Sequence, residues 1–190
     1  EDEKHIVTAK PDQDPVNIIL QRCVSNLKIP DLLPIDKLYL IMKLREISYG
    51  DDYHCLLLCP KCKGENPTVV KLSGLNVNPV PDDFTDPVEV FLPKMKKTAK
   101  VKLPRVRDEK LFLDTERALD ELWRFVDEIE GHTDKSIIAA VVNKLPLVDI
   151  RTILNAMKTE FGVDTKIKLE CKHCKEVGVV DLPIDANFFD

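Results

Sequence analysis

The 190-residue chain carries 28 basic and 33 acidic residues for a net charge of -5, with 44% hydrophobic and 32% charged positions. That length can bury a core without disulfide staples, and the composition lies outside the range of disordered chains. The acidic balance excludes attraction to nucleic acid or an anionic membrane through bulk charge, and the longest apolar run, Ile137 to Val142, is far short of the about 20 residues a membrane span needs.

Asp14 and Pro15 open the first expected helix, an oxygen cap followed by a residue with preset φ. Val16, Ile19, Leu20, Cys23, Val24 and Leu27 recur at helical spacing to residue 28. Pro30 and Pro34 punctuate a linker. Asp36 then caps a second helix from Lys37 to Ser48, apolar nearly all round and ended by Gly50. The period next changes to that of extended chain: Tyr53 to Leu58 and Thr68 to Leu72 read as a hairpin with a tight turn from Cys59 to Gly64. A second hairpin follows, Val88 to Leu92 with Ala99 to Leu103. Three helices are expected after it: Thr115 to Glu130 with Leu119, Leu122, Trp123, Val126 and Ile129 on one face, Lys135 to Leu145, and Asp149 to Phe161. The last two, joined across Pro146, read as core-packing helices, with Asp149, Arg151, Asn155, Lys158 and Glu160 exposed. The chain closes on a third hairpin, Lys166 to Glu170 and Val177 to Leu182, around Cys171 to Cys174. The first and last hairpins look like a degenerate internal duplication, each with an apolar strand, a Cys-x-x-Cys turn containing Lys, a nearby Gly and a Val-rich returning strand.

A Cys-x-x-Cys turn offers two thiolates from one tight loop, and two such turns complete the tetrahedron Zn²⁺ prefers. Cys59, Cys62, Cys171 and Cys174 are therefore the expected ligands of a structural Zn²⁺, its coordination closed to substrate, with the intervening segment carried as an insertion. His173 and His54 are the alternative ligands. Cys23 and Cys55 read as small buried hydrophobes. Four cysteines in metal-type pairs favour a reducing compartment over a disulfide framework.

The segment Lys94 to Arg107 holds Lys94, Lys96, Lys97, Lys100, Lys102, Arg105 and Arg107 and no acid. It reads as a solvated tip or a protein contact rather than a nucleic-acid surface, because no aromatic residue is interleaved for base stacking. Lys61, Lys63, Lys172 and Lys175 at the two turns keep a zinc-ribbon nucleic-acid-binding module as the alternative. No phosphate-cradling glycine loop, nucleophile elbow or His-Glu-x-x-His pair is present, so no catalysis is expected.

The helix from Val16 through Gln21 and Cys23 to Val24, the stretch Leu33-Pro34, Asp36, Leu44-Arg45, Ser48 and Gly50, and the paired knuckles stand in a family order. They resemble the baseplate-hub protein family of contractile-tailed bacteriophages of the T-even type, best over residues 1 to about 72 and again over roughly 140 to 182. Asp2-Glu3-Lys4 matches the family's acidic-Lys start, and its upstream β-hairpin has no counterpart, which implies further residues before Glu1. The resemblance implies a non-catalytic virion structural or tail-assembly protein contacting hub, wedge or tube-initiator subunits, located in the tail baseplate and, during assembly, in the host cytoplasm. Arg45 on its mostly apolar helix requires a carboxylate or several carbonyls, from its own chain or from a partner. Lys94, Lys96, Lys97, Lys100, Phe188 and Phe189 are the other partner-contact candidates, the adjacent Phe pair being poorly placed to enter its own core. The expected fold is α+β: an N-terminal helical segment (residues 1–50), a split zinc ribbon (51–75 and 163–184), an inserted hairpin with three helices (84–162) and a C-terminal tail (185–190).

Overall fold

The computed structural model describes residues 15–184 and 186–189; Asp2-Glu3-Lys4, the Asp14 cap and Asp190 lie outside them. Helix α1 spans Pro15–Cys23, and Asn26, at φ 66°, turns the chain out of it. Helix α2 spans Pro34–Tyr49, starting three residues before the expected Lys37, and Gly50 at φ 93° ends it. The first hairpin pairs β1 (Asp52–Leu58) with β2 (Glu65–Lys71). A short β3 (Val77–Asn78) precedes β4 (Val88–Leu92) and β5 (Lys97–Val101). A 3-10 helix, Val106–Leu113, leads into α3 (Thr115–Asp120), whose start is capped by the Asp114 carboxylate on Arg117 N–H at 3.1 Å. Strand β6 covers Val126–Ile129, α4 covers Lys135–Val142 and α5 covers Leu147–Ala156. Strands β7 (Gly162–Val163), β8 (Lys166–Glu170) and β9 (Val177–Asp181) follow, and a 3-10 turn, Ala186–Phe189, comes last. Helices and antiparallel strands are thus segregated as an α+β fold requires.

The chain divides into two compact units, one formed by the chain through Lys37 with Val80–Phe161, the other by Leu38–Pro79 with the chain from Gly162 onward. In the first, β4, β5 and β6 make an antiparallel sheet in that order. Leu92, Val101, Leu122, Val126, Ile138 and Ile153 are buried together in its core.

The expected helix from Thr115 to Glu130 does not form. Only its first turns are helical; Leu122–Phe125 tightens into a 3-10 turn, and Val126–Ile129 pairs with β5. Val126 and Ile129 are both fully buried although three positions apart, because the register shifts between Lys100 and Val101. In a regular strand two such residues would face opposite sides; the irregularity turns both inward and reproduces the i, i+3 spacing of a helix. Leu119, expected on the buried face, is exposed.

Asp149 also departs from expectation. It is 0% exposed, and its two carboxylate oxygens accept the Lys94 and Met95 backbone N–H groups at 2.9 Å each, tying the β4–β5 turn to α5. Asp149→Asn keeps the shape but replaces one acceptor by a donor facing an N–H. It should lower stability by about 1–2 kcal/mol, read as a fall in Tm at unchanged secondary structure. Cys23 is exposed rather than buried, because α1 ends with that residue.

In the second unit, the β1–β2 and β8–β9 hairpins are joined by the short β3–β7 pair, in which Val77 lies opposite Val163. Tyr53, Leu57, Val70, Leu72, Leu169 and Leu182 supply its buried apolar side chains.

A four-cysteine candidate metal centre

The two Cys-x-x-Cys turns have the same backbone construction. In the first, Lys63 N–H donates to Cys59 O at 2.9 Å and Cys59 N–H to Gly64 O at 3.0 Å; in the second, Lys175 N–H donates to Cys171 O and Cys171 N–H to Glu176 O, both at 2.9 Å. Lys63 and Lys175, each following the second cysteine, have φ of 58° and 59°. This left-handed step reverses the chain into the returning strand. The duplication read from sequence is therefore a duplication of geometry.

Within the unit, the turns bring the Cys59, Cys62, Cys171 and Cys174 sulfurs within 4.8 Å of one another. The closest sulfurs pair across the hairpins, Cys59 with Cys174 and Cys62 with Cys171, at 3.6 Å each. A disulfide needs about 2.05 Å. A regular tetrahedron around an ion at about 2.3 Å from each sulfur has edges of about 3.8 Å, close to the spacing seen. Four cysteines thus lie close enough to hold one metal ion.

Cys59 and Cys171, the first cysteine of each turn, are buried, whereas Cys62 and Cys174 reach the surface. The N–H groups of Cys174 and His173 point at the Cys171 sulfur and hold its thiol down to about 6. The Cys62 N–H, against burial and aided by Lys61 N–H, lowers Cys59 likewise. At Cys174 the Glu176 N–H acts in the same sense, but burial and the three neighbouring sulfurs outweigh it and push the thiol up to about 12. The first cysteine of each turn is thus favoured toward the thiolate by backbone N–H groups, while the crowded sulfurs oppose ionisation of Cys174, an arrangement that a cation would relieve.

Neither histidine enters the cluster. His173 Nε2 lies 2.9 Å from Glu65 O, and its ring packs over Gly64. A Cβ on Gly64 would fall 2.6 Å from His173 Cδ2, so Gly64→Ala should displace the ring, break that hydrogen bond and cost about 1–2 kcal/mol in thermal denaturation. Gly178→Ala, which meets Pro60 Cγ at 3.3 Å, should cost less.

Asn66 is the site residue that sequence reasoning missed. It is 1% exposed; its Nδ2 donates to Gly64 O at 2.8 Å and to Leu57 O at 3.3 Å and approaches the Cys171 sulfur at 3.7 Å, while its Oδ1 accepts Lys172 N–H at 2.8 Å. One amide therefore bridges both turns and touches a ligand sulfur. The duplication explains why it has no twin. The position equivalent to Asn66 is Gly178, and the position equivalent to Lys172 is Pro60, which has no N–H to offer; Gly178 instead leaves room for the Pro60 ring. Asn66→Ala would leave the Lys172 N–H without its acceptor while Gly64 O keeps the Cys59 N–H, and should cost about 1–2 kcal/mol, with faster loss of bound metal to a chelator.

The basic segment is largely neutralised by acids distant in sequence. Lys97 pairs with Glu130 at 3.6 Å, Lys100 with Glu128 and Lys102 with Asp127 at 2.8 Å, Arg105 with Asp86 and Arg107 with Asp31. Lys94 and Lys96 have no ion-pair partner among the described residues.

Arg45 is 4% exposed and bound by its own chain: Nε donates to Phe188 O at 2.8 Å, Nη1 to Gly50 O at 3.0 Å and Nη2 to Asp52 O at 3.5 Å. Phe188, expected to be free for a partner, is 1% exposed and packs edge-on against Tyr53 at 4.8 Å. The correction follows from Arg45, whose captured carbonyl seats the ring inside. Phe189 is half-buried against Tyr49 and Phe188.

A family model described as T4 bacteriophage base plate protein matches residues 1–190. The chain belongs to that family. It is a structural component of a T4-type phage tail baseplate, and its partners are other baseplate proteins. Searches of curated proteins and of solved structures gave no match. Among the described residues no helix is long and apolar enough to cross a membrane.

Proposed function

We propose that the chain is a non-catalytic component of the hub region of the baseplate, that it joins the tail through protein–protein contacts after assembly in the host cytoplasm, and that a structural Zn²⁺ on Cys59, Cys62, Cys171 and Cys174 holds its hairpin unit together. The observation that carries the metal assignment is the sulfur cluster, all four atoms within 4.8 Å. Four thiolates at tetrahedral spacing select zinc or an iron–sulfur centre over hard cations, and a closed four-ligand set leaves no open position for chemistry. The hub placement rests on the resemblance of residues 16–50 and the paired knuckles.

Elemental analysis of the purified full-length chain should return one zinc per chain and no visible chromophore; stoichiometric iron with charge-transfer absorption would overturn the zinc assignment. Cross-linking of intact baseplates followed by mass spectrometry tests the hub placement, with links to hub subunits expected and links confined to wedge subunits excluding it. The nucleic-acid alternative loses support from the ion pairs of Lys97, Lys100, Lys102, Arg105 and Arg107, because a cation already neutralised releases few counterions from a phosphate backbone.

A further inference from the structure

Helix α4 is apolar at six consecutive positions, Ile137 to Val142. A helix apolar all round belongs in an interior, yet of these six only Ile138 and Val142 are buried, and Ile137 is 43% exposed. Ile137, Ala140 and the half-buried Val141 stand at i, i+3 and i+4 on α4, and Lys144 follows in the turn after it. With Met95 and Lys94 of the β4–β5 turn they line an open groove of about 590 Å³.

Both walls of the groove are built. The turn is held by the buried Asp149 carboxylate through the Lys94 and Met95 N–H groups, so Met95 sits on a fixed backbone. Opposite, α4 is anchored by Ile138 and Val142 in the core and capped by Asp134, which accepts Ser136 N–H at 2.8 Å and Ile137 N–H at 3.2 Å. The charge is one-sided. Lys94 stands on one wall and Lys144 on the other, no acid lines the groove, and neither lysine has an ion-pair partner among the described residues. This contrasts with the lysines of β5 and its continuation, each matched to an acid.

We propose that this groove docks an acidic amphipathic helix of another baseplate subunit. The apolar stripe of that helix would lie along Ile137, Ala140 and Val141, and its flanking carboxylates would meet Lys94 and Lys144. The inference rests on the baseplate reading and names the chemistry of one contact. A helix fits because the exposed stripe on α4 has helical spacing and offers ridges for a second helix to straddle. Acidic flanks fit because these two exposed lysines, once desolvated by an occupant and without counter-charges, would oppose an apolar or basic one.

The test is a benzoylphenylalanine photo-cross-linker at Ala140 of the full chain, produced in host cells assembling the particle, with the linked peptide sequenced by mass spectrometry. The expected product is a link to one segment of another baseplate subunit, carrying acids beside apolar residues at three- and four-residue spacing. In the Lys94→Glu/Lys144→Glu background the yield should fall at least tenfold at unchanged Tm; if that pair lowers Tm, Lys144→Gln, in the exposed turn after α4, makes the same comparison with a several-fold fall. A link to a second copy of this chain, to nucleic acid or to a non-acidic segment, an unchanged yield after charge removal, or no link would each overturn the proposal. Recovery of the chain in purified baseplates is scored separately, so a failed groove and a failed baseplate assignment give different results.

Discussion

Serine at Cys59 or Cys171 should abolish stoichiometric metal binding and lower Tm by roughly 10 °C or more, at about 2–4 °C per kcal/mol for a chain of this size. The sheets of the unit that carries the sulfurs are only two-stranded hairpins and one two-residue strand pair. Isolated two-stranded hairpins are marginal in water, and the apolar side chains between these two are few. In small metal-dependent domains structural zinc supplies about 10–16 kcal/mol, and a modest part of that equals a large part of the about 5–15 kcal/mol that separates folded from unfolded domains. Cys62→Ser and Cys174→Ser should be milder, because these sulfurs reach the surface and water can complete the coordination. Chelation of the wild-type protein should reproduce the Cys59→Ser melting curve and leave that variant unchanged, since both remove one interaction. Amide exchange localises the effect: protection should be lost over residues 52–71 and 166–181. A Cys59→Ser protein that keeps its metal and its Tm would refute the metal assignment.

How much of this was legible in the sequence depended on whether the signal was local. The Cys-x-x-Cys turns were legible because four consecutive residues fix both the turn and the ligand pair, and the strands around them followed from period and turn residues. The chain from Thr115 to Glu130 misled because Leu122, Val126 and Ile129 fit a helical face, while what makes Val126–Ile129 a strand is the β5 edge and a register shift on it. Asn66 and Asp149 carried no pattern. Each is a single polar residue whose importance comes from backbone groups it meets more than fifty positions away, Lys172 in one case and Lys94 with Met95 in the other. The Lys94 to Arg107 charges were visible, but the acids that neutralise most of them lie elsewhere in the chain. Counting charge along a segment therefore overstated the field at its surface.

Phe188→Ala should cost about 3–5 kcal/mol, the range for emptying a fully buried aromatic site, and should shift Tm by roughly 10 °C. The ring is 1% exposed, stands 4.8 Å from Tyr53 and lies 6.0 Å from the Arg45 guanidinium. Tyr53 also donates through its hydroxyl to Pro183 O at 2.8 Å, so the last described residues are held at two points. Arg45 makes the arrangement cooperative. Among the described residues no carboxylate pairs with its charge; it is met by the carbonyls of Phe188, Gly50 and Asp52 and by the faces of Tyr49 and Tyr53, each 5.5 Å away. Removing Phe188 lets water reach a guanidinium that the fold had desolvated, and removing Arg45 strands a buried carbonyl and loosens the ring. The double variant Arg45→Ala/Phe188→Ala should therefore fall short of the sum of the single losses by about 1 kcal/mol or more. Arg45→Lys should restore little, because a single ammonium cannot reach three carbonyls arranged for a planar fork. Phe189→Ala, at a half-buried ring, should cost clearly less than Phe188→Ala. Equal losses at the two positions, or strictly additive ones at Arg45 and Phe188, would mean that the terminal turn is not seated by this arginine.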